Sequence, residues 1–163
     1  VRYQLKDYFL RFYFTFISTA KRSFAQIPDP IHFQTIIGKR WDPFLGKAFE
    51  SICLDHAHLI AQAAGFKQIQ EVGSYWQRPT RRKRGVQIDL IIECDAHTLL
   101  LCECKWSKEP SGSDVICDLQ NKVHLFPNSK HQTIVPVLIS TGGFTKEAQK
   151  EHSVQQLDLK CLF

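Results

Sequence analysis

The sequence predicts an α/β fold in which a central sheet is flanked by helices. Apolar residues repeat at helical spacing over residues 42–65, where Asp42 suits an N-cap, Pro43 a first turn and Gly65 a helix end. Three strand-like runs follow over 66–76, 85–94 and 99–106. A second helical segment at 113–126 and a buried strand at 132–140 complete the order α-β-β-β-α-β.

The elements at the two ends of the chain extend this core. "LKDYFLRFYFTFI" (residues 5–17) predicts a helix with Leu5, Phe9, Phe12 and Phe16 on one side. "QIPDPIHF", with two prolines, is typical of a linker. After residue 140, "FTKEAQKEH" predicts a short exposed helix and "VQQLDL" an edge strand. We therefore divide the chain into a helical junction, 1–40, and a sheet domain, 41–163.

The aromatic helix at the front end carries apolar residues on most of its sides, and such a surface needs a cover. The sequence also contains no Met at all. We expect the chain to be a fragment of a longer protein, with the cover supplied by an upstream part.

Composition excludes several classes of protein. The chain has 163 residues, of which 44% are hydrophobic and 23% charged, as in ordinary globular domains. No apolar stretch has the length of a membrane helix, and no signal peptide is present. The six cysteines form no CxxC pair, so we expect reduced thiols and a cytoplasmic location. A zinc site at Cys53, His56 and His58 is disfavoured because it lacks a second ligand pair.

Positive charge is concentrated in one loop. The chain has 21 basic and 16 acidic residues. Without the basic residues of "RPTRRKR", sixteen of each sign remain. Such a cluster suits a polyanion, although a solvated loop is the simpler explanation of it alone. We expect five residues to bind DNA phosphates: Arg78, Arg81, Arg82, Lys83 and Arg84.

Charged residues interrupt the apolar run "LIIECDAHTLLLCECKW" (90–106). If the second and third strands form a hairpin with a loop of two or three residues, paired positions sum to about 192–194. At a sum of 192, Asp89 lies opposite Glu103 and Gln87 opposite Lys105. Because side chains alternate along a strand, Glu103 and Lys105 share one face. The same alternation predicts Val86, Ile88, Leu90 and Ile92 on one face.

Two carboxylates this close favour a bound cation, because otherwise one of them would protonate. Mg²⁺, or Mn²⁺ in its place, prefers such oxygen ligands and can polarise a phosphodiester. Glu50, on the flank of the preceding helix, can complete the metal shell. Lys105 can orient or deprotonate the attacking water, or neutralise developing charge. A cross-strand salt bridge without catalytic function is the competing explanation.

The run "QIDLIIECDAHTLLLCECKW" resembles the motif of the PD-(D/E)XK nucleases, the restriction-endonuclease-like superfamily. The resemblance covers residues 41–160 and implies a mixed central sheet. It makes Asp89 the motif aspartate, Glu103 and Lys105 the ExK pair, and Glu50 the acidic residue of the first helix. Ile88 stands where the family name has proline. The helix after ExK often supplies a Gln or Lys; for Gln120 and Lys122 we expect an exposed helix face instead.

A closer resemblance is to the C-terminal nuclease-like domain of archaeal-type DEXX-box (AAA+) ATPases. Gln87 departs from the usual Glu of their "EID". The matching positions are Tyr3, Asp7, Arg11, Phe12 and Phe16 of the junction, "LGKAFE" (Leu45–Glu50) and "GSYW" (Gly73–Trp76). The resemblance implies that an ATPase domain and a winged helix lie upstream. The chain has no GxxxxGK[ST], so it offers no P-loop for ATP itself.

These observations lead to a metal-dependent DNA endonuclease-like domain of a larger ATPase. The first alternative is a catalytically inactive DNA- or protein-binding module of the same fold that serves the ATPase. A third hypothesis is a homo-oligomer that assembles through the aromatic helix. Membrane association is not expected.

Overall fold

The computed structural model describes residues 5–18, 30–81 and 84–163. The chain divides into two compact units, Val1–Ala48 and Phe49–Phe163. Its helices are α1 (Tyr8–Phe12), α2 (Pro30–Asp55), α3 (Ala57–Ala63) and α4 (Ser113–Leu125). Its strands are β1 (Glu71–Gln77), β2 (Val86–Glu93), β3 (Thr98–Lys105), β4 (Thr133–Ser140) and β5 (Gln155–Asp158).

Within the first unit, α1 starts where Asp7 caps it, since the Asp7 carboxylate accepts the Leu10 N–H at 2.7 Å. The helix continues as a π-helical segment, Tyr13–Ile17. Phe16 is fully buried, with ring centres 5.8 Å from Trp41 and 5.2 Å from Phe44. The predicted aromatic helix is thus confirmed from Tyr8 to Ile17, whereas residues 5–7 precede it. Of the predicted linker, residues 26–29 lie outside the described part of the chain.

The prediction that a helix begins at Asp42 is wrong. The helix α2 starts at Pro30, so part of the predicted linker is helical and Pro43 lies inside the helix. The predicted end is correct, although the helix is interrupted at His56. At Gly65, φ is +94°, and the N–H groups of Gly65 and Phe66 donate to the carbonyls of Gln62 and Ala61. This is a Schellman motif, which glycine accommodates best.

The sheet has the strand order β1-β2-β3-β4-β5. The first three strands form antiparallel neighbours, whereas β3–β4 and β4–β5 are parallel. The mixed sheet with helices around it confirms the predicted α/β fold. The β2–β3 ladder pairs positions that sum to 192, as in Leu90↔Cys102, so one of the predicted registers is confirmed.

Two apolar cores lie on opposite faces of the sheet. Leu100, Cys102 and Cys104 pack with α2 and α3 on one face. Leu101 packs with α4 on the other face. Because neighbours along β3 point in opposite directions, Glu103 and Lys105 belong to the α4 face.

A bulge in β2 contradicts the prediction of one apolar face along that strand. Gly73 pairs with Ile91 and Tyr75 with Ile88, so Asp89 and Leu90 together oppose Ser74. Because of this extra residue, every second side chain after the bulge points to the face opposite to the one used before it. The α4-side core therefore contains Val86 and Ile88, and the opposite core contains Leu90 and Ile92.

Among the described residues, no helix is long and apolar enough to cross a membrane.

Candidate active site where β2 and β3 separate

Glu103 is the buried centre of the site. Its side chain is only 7% exposed, and the Lys105 Nζ lies 3.0 Å from its Oε1. The Nζ of Lys122, on α4, lies 2.5 Å from its Oε2. A carboxylate this buried needs such cationic partners to offset the cost of its burial. The predicted common face of Glu103 and Lys105 is therefore confirmed, and a second lysine joins it.

Asp89 lies in the β2 bulge, just beyond the last ladder pair, Leu90↔Cys102. Here the Asp89 Oδ2 accepts the Cys104 N–H at 3.1 Å. The Gln87 Nε2 donates to the other oxygen, Oδ1, at 3.4 Å. The side chain of Asp89 thus connects the two strands where their backbone pairing has ended.

Burial, together with the negative charges of Glu103 and Glu50, raises the pKa of Asp89 to about 6. The Cys104 N–H and the Lys122 charge act in the opposite direction. Glu50 therefore lies close enough to act on Asp89. The three predicted carboxylates converge on one region of the second unit, with more negative charge around Asp89 than its neighbours compensate.

Lys105 is held in its charged form. Burial by itself would lower its pKa, but the carboxylates of Glu103, Asp89 and Asp118 outweigh burial, and the pKa is raised. A lysine of this kind is a poor base near neutral pH. Of the roles considered for Lys105, neutralising charge and orienting water fit this environment better than deprotonating water.

The donor set fits a hard divalent cation by its chemistry, since it consists of carboxylate oxygens whose mutual repulsion a cation would relieve. Over residues 5–18, 30–81 and 84–163, however, no three His, Cys, Asp or Glu side chains are arranged as a ready metal-binding group. Both oxygens of Glu103 contact lysines. A metal bound by Glu103 would therefore share a carboxylate oxygen with a lysine or displace that lysine.

Three residues of the predicted DNA-binding loop are described, and all three are exposed: Arg78, Arg81 and Arg84. The Arg78 guanidinium lies 5.0 Å from the ring centre of Trp76. Arg82 and Lys83 lie outside the described residues. The loop leads directly into β2, the strand that carries Asp89.

The expectation of an exposed helix face is wrong for both Gln120 and Lys122, which are half-buried. Gln120 donates to the Ser153 hydroxyl. Lys122 follows the buried Leu119 by three positions and therefore lies beside the apolar stripe of α4. This spacing could have predicted from the sequence that Lys122 is partly buried. It does not indicate which strand residue Lys122 contacts.

A cavity of about 260 Å³ lies elsewhere, between β1 and the turn after α4. Its polar lining includes Glu93, Lys130 and Gln132, which are joined by hydrogen bonds of 2.9–3.0 Å. The four predicted catalytic residues do not line it. We interpret this network as support for the turn.

The fold and site define an α/β domain with a buried acidic and basic cluster at one end of a mixed sheet. Residues 13–120 match the family DUF234, described as archaeal and bacterial proteins of unknown function. This match covers more than half of the chain, and the chain belongs to that family. No curated protein matches the sequence.

Solved structures with a similar fold include two endonucleases. A repair endonuclease from Pyrococcus abyssi is 13% identical, with a TM-score of 0.48, over 69% of this chain and 46% of its own. EndoMS, solved in complex with double-stranded DNA, is 9% identical, with a TM-score of 0.46, over 70% and 44%.

A protein of unknown function, AF1548, is 17% identical, with a TM-score of 0.47, over 66% of this chain and 58% of its own. The chain thus spans about half of the length of these three proteins. Likeness at this level says nothing about activity.

Proposed function

We propose that this domain hydrolyses phosphodiester bonds of DNA in a metal-dependent reaction and belongs to a larger ATPase. One observation carries the proposal: Glu103 and Glu50 both act on Asp89 beside two lysines, where β2 and β3 separate. Keeping like charges partly buried is costly, so their convergence favours chemistry over a simple salt bridge.

Asp89 and Glu103, supported by Glu50, are the residues that would hold Mg²⁺ or Mn²⁺. The bound metal would polarise the phosphodiester and stabilise the leaving oxygen. Lys105 would orient the attacking water and offset negative charge on the phosphate. Lys122 would hold Glu103 in position through its contact with Oε2.

The basic loop would bind the phosphates of the substrate. Its five basic residues, Arg78, Arg81, Arg82, Lys83 and Arg84, immediately precede the strand of Asp89 in the chain. Positive charges beside a carboxylate site bring phosphates to a surface that would otherwise repel them. The proposed ATPase context rests on the resemblance of the junction residues, and ATP would bind outside this chain.

The first experiment is cleavage of supercoiled plasmid and of labelled single-stranded DNA with Mg²⁺ or Mn²⁺. We expect cleavage by the wild-type protein and at least a hundredfold loss in Asp89→Ala and Lys105→Ala. Glu147→Ala and Lys146→Ala, which alter exposed charges on another segment, are the matched controls. Equal cleavage by all five proteins would contradict the proposal.

One observation favours the second candidate, a binding module without catalysis. Each Glu103 oxygen already contacts a lysine, so this carboxylate is neutralised without a metal. Titration calorimetry with Mg²⁺ and Mn²⁺ separates the two functions. Binding that disappears in Asp89→Ala supports the nuclease, whereas DNA binding without any metal binding supports the module.

A further inference from the structure

Trp76 is an exposed tryptophan on β1, an edge strand of the sheet. Its side chain is 53% exposed, and the Arg78 guanidinium lies 5.0 Å from its ring centre. Isolated exposed apolar residues are common on protein surfaces and require no function. Trp76 differs from such residues because it lies close to Asp89, a residue of the candidate site.

Trp76 adjoins Asp89 through one intervening residue. Trp76 pairs with Gln87 across the β1–β2 ladder, and the Gln87 Nε2 donates to the Asp89 Oδ1. Tyr75 packs against Phe126 on the α4 side, with ring centres 5.2 Å apart. Because side chains alternate, Trp76 points to the opposite side, where α2 and α3 pack.

A second exposed tryptophan borders the site at β3. Trp106 directly follows Lys105 and is 37% exposed. Its ring centre lies 6.3 Å from that of Phe49, the residue before Glu50. Asp89 is therefore flanked by an aromatic ring on the β1 side and another on the β3 side, whereas Glu103 and Lys105 belong to the α4 face.

We propose that Trp76 and Trp106 stack on unpaired bases of a DNA strand that passes Asp89. This inference deepens the proposed function, on which it rests, by naming the substrate class: single-stranded DNA, or DNA with bases outside the duplex. Bases within an intact duplex are stacked on one another and expose no face to a side chain. Arg78, Arg81 and Arg84 bind the phosphates, and the rings bind the bases.

The test measures binding without cleavage, by fluorescence anisotropy in EDTA. The probes are a labelled oligothymidylate, an abasic strand of the same length, and a duplex. The abasic strand keeps every phosphate but offers no base. We expect Trp76→Ala to weaken oligothymidylate binding about 5- to 100-fold. Binding of the abasic strand and the duplex should change less than about twofold, and Trp76→Phe should retain most of the affinity.

The matched control is Phe163→Ala, which removes a highly exposed ring from the C-terminus. Thermal denaturation verifies that each variant is folded. Equal weakening on the thymidylate and abasic strands, no weakening on either, or failure of the wild-type protein to bind the oligothymidylate would each overturn the inference. Base-dependent binding by a protein that cleaves nothing would uphold stacking and reject the nuclease, so the two proposals fail separately.

Discussion

The residue with the clearest chemical signature is Asp89. A carboxyl buried near two others favours its neutral form, and this explains why its pKa is raised to about 6. The raised pKa of Asp89 also makes the free energy of unfolding depend on pH. Asp89 costs nothing below its ordinary pKa of 3.8, where the folded and unfolded chains both hold the proton. As pH rises through 6, the folded state retains the proton longer than the unfolded state and loses relative stability.

We therefore predict that Asp89→Asn stabilises the metal-free protein at high pH but not at low pH. The gain in unfolding free energy should grow between about pH 4 and pH 7 and reach at most about 3 kcal/mol. Urea denaturation in EDTA across this range measures it, with Asp114→Asn as an exposed control. A gain that does not change with pH would contradict the assigned cause.

At the scale of elements, the contact between α4 and β3 explains how Glu103 stays buried. Lys122 reaches Glu103 from the helix, and Lys105 reaches it from the same strand. Loss of one lysine leaves a buried carboxylate with a single partner, which costs more than loss of an exposed pair.

We predict that Lys122→Ala lowers the unfolding free energy by about 1–3 kcal/mol. In a Glu103→Gln background the same change should cost less than half as much, because the carboxylate that Lys122 stabilises is absent. A double-mutant cycle in urea measures this coupling. Additive effects of the two changes would show that Lys122 acts through packing alone.

At the scale of the whole molecule, the charge is unevenly distributed. Sixteen acidic and sixteen basic residues balance over most of the chain, and the excess lies in residues 78–84. Electrostatic binding to DNA should therefore depend on this segment more than on the overall charge of +5.

We predict that Arg81→Gln with Arg84→Gln reduces the slope of log K against log salt concentration by about 1.4–1.8 for single- or double-stranded DNA. The control, Lys146→Gln with Lys150→Gln, removes the same charge from an exposed segment outside the loop. Anisotropy titrations over a range of salt concentrations give both slopes. A control slope that falls equally would indicate that DNA binding is diffuse.

The sequence by itself determined the features that depend on local periodicity. The order of strands and helices follows from apolar spacing, and the common face of Glu103 and Lys105 follows from alternation along one strand. The charge of the basic loop depends on composition alone. The hairpin register is likewise local, because a short loop between β2 and β3 permits only a few pairing sums.

The tertiary structure alone decided what depends on contacts between distant segments. The bulge at Asp89 and Leu90 arises from pairing with β1, and it places the two apolar halves of β2 on opposite faces. The partnership of Lys122 with Glu103 depends on where α4 packs. Neither follows from local spacing, because a residue's neighbours across a sheet or under a helix are set by the packing of the complete chain.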